Sequence, residues 1–374
     1  MARPLLVVVG ARPNFVKIAP VWHALAEFGV DQRLLHTGQH YDQALSGSFL
    51  EQLHLPEPDV FLGVGSGTHA EQTSAALVGV ERVLLDAPHA AVLVAGDVNS
   101  TLAAGLAAAK VAVPVIHLEA GLRSGDWTMP EEVNRVLCDR LSDLLLCPSA
   151  DAVQSLSSEG IDPARVALVG NTMIDTLFLL ADPERAGGVR GRFGVEGGDY
   201  VLVTLHRPAL VDNPRRLLAT MEALAQVAHR APVLFPVPPR TRARLAAAGW
   251  TGSERLRLLE SLDYSDFIAL EAGARLVVTD SGGVQEETSA LAVRCLTYRT
   301  TTERPITVEL GTNTVIGIDP DRLLELALEE LDRPPGPVTS QIPLWDGQAG
   351  RSAGEAIAGF LAERVAPDAG PTRA

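Results

Sequence analysis

Leu5-Leu6-Val7-Val8-Val9-Gly10-Ala11-Arg12-Pro13-Asn14 decides how the rest of the chain is read. Five aliphatic residues in a row suit a strand buried on both faces, and Gly10 permits the tight turn that ends it. A helical pattern follows over residues 15–28. The same unit then recurs. Apolar runs at 33–37, 91–95, 113–118, 144–147 and 166–169 alternate with helical patterns at 70–86, 100–110, 131–141, 150–159 and 174–180. Continuous apolar strands separated by amphipathic helices predict a parallel sheet covered on both faces.

The pattern lapses over 181–199, where six glycines and no sustained apolar period read as a linker. It restarts with strands at 200–205, 233–235, 256–259, 276–279 and 294–297, and helices at 214–229, 241–248, 265–272 and 284–291. A last helix is expected over 350–364 and a loose tail after it. The expected fold class is α/β, with two Rossmann-like doubly wound domains, residues 1–181 and 199–349, facing a central cleft. Ligands of such sheets bind beyond the carboxyl ends of the strands, so the polar residues there are the candidates.

Composition narrows the function. The chain has 374 residues, 47% of them apolar, enough for two cores. Its 31 basic against 46 acidic residues give a net charge of −15, which argues against a nucleic-acid binder or a polybasic membrane protein. Cys138, Cys147 and Cys295 form no CxxC pair and no metal-ligand spacing, as expected of thiols in a reducing compartment. The first apolar run is too short for a signal-peptide core, and no run is long enough to span a membrane. A cytoplasmic location is therefore expected.

The strand ends carry the chemistry. Arg12 and Lys17, beside a helix start after the first strand, suit a phosphate, although a plain βα turn has the same look. Asp97 reads equally as a catalytic acid or as the N-cap of the helix that follows. Glu119 directly ends an apolar strand, where a carboxylate must be paired or functional. Glu131 opens a helix behind Pro130 and shares a face with Arg135, four residues on, which is also how an ordinary helix terminus is built. His206 ends the first strand of the second half, where a general acid/base and a structural histidine compete. Ser281-Gly282-Gly283 opens a helix whose free N–H groups suit a nucleotide diphosphate, with Glu286 or Glu287 a turn later for ribose hydroxyls.

Taken in order, a longer series resembles the non-hydrolysing UDP-N-acetylglucosamine 2-epimerases. It comprises Gly10-Ala11-Arg12-Pro13 with Lys17, Thr37-Gly38-Gln39-His40, Gly96-Asp97, Glu119-Ala120-Gly121-Leu122-Arg123 and Pro130-Glu131-Glu132 with Asn134-Arg135. Gly170-Asn171-Thr172 with Asp175, His206-Arg207, Ser281-Gly282-Gly283 with Gln285-Glu286-Glu287, and Thr302-Glu303-Arg304-Pro305 complete it. The resemblance implies a glycosyltransferase-B fold whose C-terminal helix crosses back to the first domain. It also implies a homodimer that interconverts UDP-GlcNAc and UDP-ManNAc through 2-acetamidoglucal, without metal or other cofactor. By resemblance, Asp97, Glu119, Glu131 and His206 form the acid/base set, and Arg135 joins the substrate-binding residues. Arg12, Lys17, Ser281, Gly282, Gly283 and Arg304 would hold the diphosphate, and Glu287 the ribose. Asn14, Leu210 and Pro238 depart from the family pattern, which often has Glu, Asn and His there. A hydrolysing epimerase, a glycosyltransferase of the same architecture and a nucleotide-sugar sensor are the alternatives. The last would need none of the three carboxylates Asp97, Glu119 and Glu131.

Overall fold

Aliphatic runs can satisfy their backbone groups only by pairing sideways, and here they form two all-parallel sheets. The structure, a computed structural model, describes residues 3–39, 50–197, 199–250, 252–336 and 338–365. The chain divides into two units, Met1–Thr176 with Pro343–Ala374, and Leu177–Ile342. His40, part of one of the motifs above, lies outside the described residues.

In the first unit β1 (Leu5–Val9) is buried throughout. It pairs with β2 (Gln32–His36) on one side and β4 (Ala91–Ala95) on the other, with Val7 opposite Leu34 and Leu93. β3 (Val60–Phe61) borders β2, while β5 (Val115–Leu118), β6 (Leu144–Cys147) and β7 (Val166–Leu168) continue outward from β4. The chain winds away from β1 in one direction, returns at β4 and winds in the other. That reversal opens a crevice at the carboxyl ends of β1 and β4. The second unit repeats the arrangement around β8 (Val201–Thr204), flanked by β9 (Val233–Pro236) and β11 (Leu276–Thr279). β10 (Leu256–Leu259) lies beyond β9, and β12 (Cys295–Thr297) and β13 (Asn313–Val315) lie beyond β11. Its reversal falls between β8 and β11. Both units are therefore doubly wound α/β layers, as the strand pattern predicts.

Three features differ from the sequence reading. The glycine-rich 181–199 stretch contains a helix, Pro183–Arg192, started by Asp182, which accepts from the Glu184 N–H at 2.9 Å. Ala186 and Val189 anchor it in the core, and Arg185 pairs with Asp263 and Asp266. Two buried residues sufficed, too few for a visible period. β3 and β13, two and three residues long, are likewise too short to show one. Helix Pro320–Asp332 is a further addition, marked both by its start, Asp319-Pro320, where Asp319 caps two N–H groups, and by the four-residue spacing of its buried Leu323, Ala327 and Leu331. Of the departures from the family pattern, Leu210 is a buried core residue and Pro238 immediately precedes helix Pro239–Ala247.

The last helix, Ala349–Val365, belongs to the first unit and packs along helix Arg12–Glu27. Asp175 caps it, accepting from the N–H of Ala349 at 3.1 Å and of Gly350 at 2.6 Å. The seam is tight. A Cβ on Gly350 would lie 2.4 Å from Pro20 Cβ and 2.7 Å from its carbonyl carbon, whereas Gly359 on the same helix has open space. Gly350→Val is expected to lower the unfolding free energy by about 2 kcal/mol or more in urea titrations, the scale of an overpacked seam. Gly359→Ala should leave it unchanged or raise it.

Candidate active site

The βα turn after β1 is closed by Asn14. Its side-chain oxygen accepts from the N–H groups of Gly10 and Ala11, both at 3.0 Å, and its amide donates to the Ala95 carbonyl at 2.8 Å. A residue that departs from the family pattern thus ties the ends of β1 and β4 together. Arg12 occupies the first helical position, half-buried. One turn on, Lys17 is buried and forms an ion pair with the buried Glu119, which follows β5. Gly96, at the end of β4 with φ +66°, leaves the room for this pair. A Cβ there would lie 2.8 Å from Lys17 Nζ and 3.1 Å from Glu119 Oε2. Glu119 itself has φ +69°, a conformation unfavourable for a residue with a side chain. The Leu146 carbonyl holds it there, accepting from the N–H groups of both Glu119 and Ala120 at 3.1 Å.

Next to Gly96, Asp97 does not cap the helix that follows; its N-cap is Val98, without a side-chain bond. Asp97 Oδ2 instead accepts from Arg135 Nε at 3.0 Å and Nη2 at 2.7 Å, and Asn134 donates to the Asp97 carbonyl at 2.8 Å. Arg135 also pairs with Glu132 at 2.7 Å, three residues back on the same helix. Glu132 is buried and accepts from the Ser124 and Gly125 N–H groups; burial opposes its charge, yet these donors and Arg135 hold its carboxyl below the ordinary range. Glu131 is exposed at the helix start.

Beneath Gly96 and Asp97 lies His117, wholly buried in β5. Its Nδ1 is 2.6 Å from Asp139 and its Nε2 is 2.9 Å from the Gly96 carbonyl. Both neighbours accept, so both ring nitrogens donate and the ring is an imidazolium. Burial pushes the ring towards neutrality, but the Cys138 sulfur and the Asp139 carboxylate outweigh it and hold the ring well above its usual value. Asp139 also receives Arg123 at 2.7 Å and the Gly121 N–H at 3.1 Å.

In the second unit, Asp280 at the end of β11 is almost fully buried and accepts from the backbone N–H groups of His206 and Arg207. It also lies 3.0 Å from His206 Nδ1. A carboxylate there fixes the tautomer with the proton on Nδ1, leaving Nε2 of the exposed imidazole free to exchange a proton. Helix Gly282–Ala290 starts directly after Ser281, whose side chain makes no cap bond, so the first N–H groups are available to an anion. Gly282 leaves room for the ion-paired side chains: a Cβ would meet Arg304 Nη1 and Glu303 Oε1, each at 2.5 Å. Arg304 is buried between Glu286 (Nε–Oε1 2.8 Å) and Glu303 (Nη1–Oε1 2.7 Å), and Arg299 pairs with Glu303 at 2.6 Å. Arg304 therefore braces the helix start with its charge already shared. Glu287 accepts from the Tyr264 hydroxyl at 2.5 Å.

Sequence reasoning singled out Asp97, Glu119, Arg135, His206 and the glycine turn. It assigned no role to Asn14, His117, Asp139, Asp280, Tyr264 or Glu303, which hold the candidates in place. For Asp280 the signal was its position at a strand end; for His117, inside an apolar strand, it was a polar residue that burial obliges to be paired. Among the described residues no group of three or more His, Cys, Asp or Glu side chains is arranged to hold a metal ion, and no helix is long and apolar enough to cross a membrane.

A family model for UDP-N-acetylglucosamine 2-epimerase matches residues 23–358. The chain is 41% identical over 330 residues to the UDP-N-acetylglucosamine 2-epimerase of Methanocaldococcus jannaschii, covering 86% of this chain and 90% of that protein. It is 39% identical over 366 residues to the UDP-2,3-diacetamido-2,3-dideoxy-D-glucuronate 2-epimerase of Pseudomonas aeruginosa, covering 96% and 99%. The crystal structure of the M. jannaschii UDP-GlcNAc 2-epimerase in complex with UDP-GlcNAc and UDP matches with a TM-score of 0.86 at 37% identity, over 96% of this chain and 99% of that one.

The His117–Asp139 pair carries a pH signature. A histidine raised above 6.5 on folding stabilises fully below that value, and the contribution drains away as pH rises towards the folded value. The stability difference between the native chain and His117→Gln should therefore be largest below pH 6.5 and shrink steadily above it, as measured by denaturant unfolding at a series of pH values. A difference that is flat or grows with pH would contradict the imidazolium.

Proposed function

Because this chain belongs to the UDP-N-acetylglucosamine 2-epimerase family, isomerases of glycosyltransferase-B-like fold, we propose that it interconverts UDP-GlcNAc and UDP-ManNAc by removing and re-adding UDP. One observation carries the reading furthest. At the adjacent ends of β4 and β5 the first unit holds two carboxylates against different cations, Asp97 on Arg135, which it shares with Glu132, and Glu119 on Lys17. A transferase of the same architecture usually needs only one base, whereas inversion at C2 needs proton handlers on both faces of the sugar.

The proposed cycle begins when a base takes the proton from C2. The C1–O bond breaks, its electron pair leaves on the β-phosphate, and a C1=C2 double bond forms. A second group then delivers a proton to the opposite face of C2 as the phosphate oxygen rejoins C1. Asp97, Glu119, Glu131 and His206 are the proposed proton carriers. Charge grows on the departing diphosphate, so donors aimed at it act chiefly in the transition state. Arg12, Lys17, Ser281, Gly282, Gly283 and Arg304 are the proposed diphosphate residues, and Glu287 the ribose residue. The helix N-terminus and Arg12 supply positive potential without a cation. The proposal extends to a cytoplasmic homodimer that does not act on nucleic acid. Three buried cysteines without a disulfide support the compartment, and the family resemblance supports the dimer.

A second reading keeps the reaction and changes the sugar to a diacetamido uronate. It is favoured by the P. aeruginosa relative, which matches over nearly its whole length. Incubation of the protein with each UDP-sugar in deuterium oxide, followed by NMR, separates the readings. The expected product is UDP-ManNAc deuterated at C2; free ManNAc would mean hydrolysis, and an unchanged UDP-GlcNAc pool would remove the assignment.

Two further outcomes are expected. Asp97→Asn, Glu119→Gln and Glu131→Gln should each lower kcat by ~10²-fold or more with smaller changes in KM, the scale of a lost general acid or base. Full activity in all three would end the proton-transfer assignment. Turnover should persist in EDTA, and a loss restored by magnesium would show that the anion site is incomplete without a cation.

A further inference from the structure

Behind Glu287 lies a second acid that the proposed reaction leaves unused. Glu271 ends helix Tyr264–Glu271 and is completely buried. Among the described residues no N–H or O–H group donates to either of its carboxyl oxygens. It lies within hydrogen-bonding reach of the Glu287 carboxyl. Tyr264, two turns earlier on the same helix, donates to Glu287 Oε1 at 2.5 Å. The other titratable or charged groups around the pair are Arg304, which acts on Glu287, Glu286 from helix Gly282–Ala290, which acts on Tyr264, and Cys295 from β12 and Tyr200 with Arg190 beside it, both of which feel Glu271.

Two carboxyls side by side away from water cannot both be ionised, so one proton stays with the pair. Its place follows from the donors. Burial raises Glu287 above the ordinary carboxylate range, but the Tyr264 hydroxyl and then Arg304 pull it back towards its anion. Glu271 has neither. Burial, and then the neighbouring Glu287, push Glu271 well above the ordinary carboxylate range. Glu271 is therefore an O–H donor, and Glu287 is an acceptor within its reach.

We propose that Glu271 is a positioning residue for nucleoside recognition: as a neutral acid it donates to Glu287 and, with Tyr264, locks that carboxylate in the orientation that receives a vicinal diol. The inference rests on the reading of Glu287 as the ribose residue. A diol needs two acceptor directions held in one plane. A carboxylate tied at two points presents them, whereas one free to rotate about its last bond does so only part of the time.

Calorimetric binding of UDP and 2′-deoxy-UDP tests both layers. The native protein should prefer UDP by roughly tenfold or more, the scale of leaving a polar acceptor unpaired. Glu271→Leu should lose most of that preference, chiefly through weaker UDP binding, and Tyr264→Phe should do the same. Glu271→Gln, whose amide still donates, should restore most of it. A native protein without preference would remove the ribose reading of Glu287. A native preference kept intact in Glu271→Leu would overturn the role of Glu271 alone. Should the Leu variant not fold, the pH dependence decides. The preference of the native protein should fall as pH rises and Glu271 gives up its proton, while that of Glu271→Gln stays flat; identical profiles would overturn the proposal.

Discussion

A negative charge at the buried end of a parallel strand needs a partner, and the ion pair between Glu119 and Lys17 meets that need. Much of the first unit is arranged around it. Asn14 draws the start of helix Arg12–Glu27 against the end of β4, which sets where Lys17 arrives one turn later. Gly96 stands aside so that the two side chains can meet, and the backbone of Glu119 takes a left-handed turn held by Leu146. Buried ion pairs are poor investments in stability, since well-packed apolar residues often do as well or better. A strained backbone and a desolvated pair at a sheet's switch point are better understood as features of a working site.

The same rule, applied residue by residue, explains how a chain with a net charge of −15 places so many acids near its strand ends. Each is matched. Asp97 and Glu132 divide Arg135 between them, and Asp139 takes His117 and Arg123. Asp280 takes two backbone N–H groups and His206, and Glu286 and Glu303 share Arg304. Glu271 is matched by a proton rather than a cation. Net charge therefore says little about the field inside the sites, where the cations are concentrated.

Most of the fold was legible because strand and helix periods differ and are local. The runs at β1, β4, β6 and β11 could be bounded to the residue, since aliphatic stretches end abruptly at glycine, proline or acid. Helix Pro183–Arg192 was not legible, because only two of its side chains enter the core. The candidate residues were legible to the extent that polar groups at the ends of buried strands are conspicuous. Their partners were not. Arg135 lies four residues after Glu131 in sequence, yet it pairs with Glu132, three residues back, and with Asp97, 38 positions away, because the crossover helix returns its side chain to a distant strand end.

By itself, then, the sequence determined the α/β class, the two doubly wound sheets and the strand ends at which chemistry is possible. These depend on hydrophobic period and turn residues, which act over a few positions. Only the tertiary structure decided which acid met which cation. It turned Asn14 into a clasp and His117 into an imidazolium, exposed Glu131, buried Glu132 and set Glu271 against Glu287. Those outcomes depend on desolvation and on hydrogen bonds between residues up to 102 positions apart, as in the pairing of Lys17 with Glu119, and no local pattern encodes them.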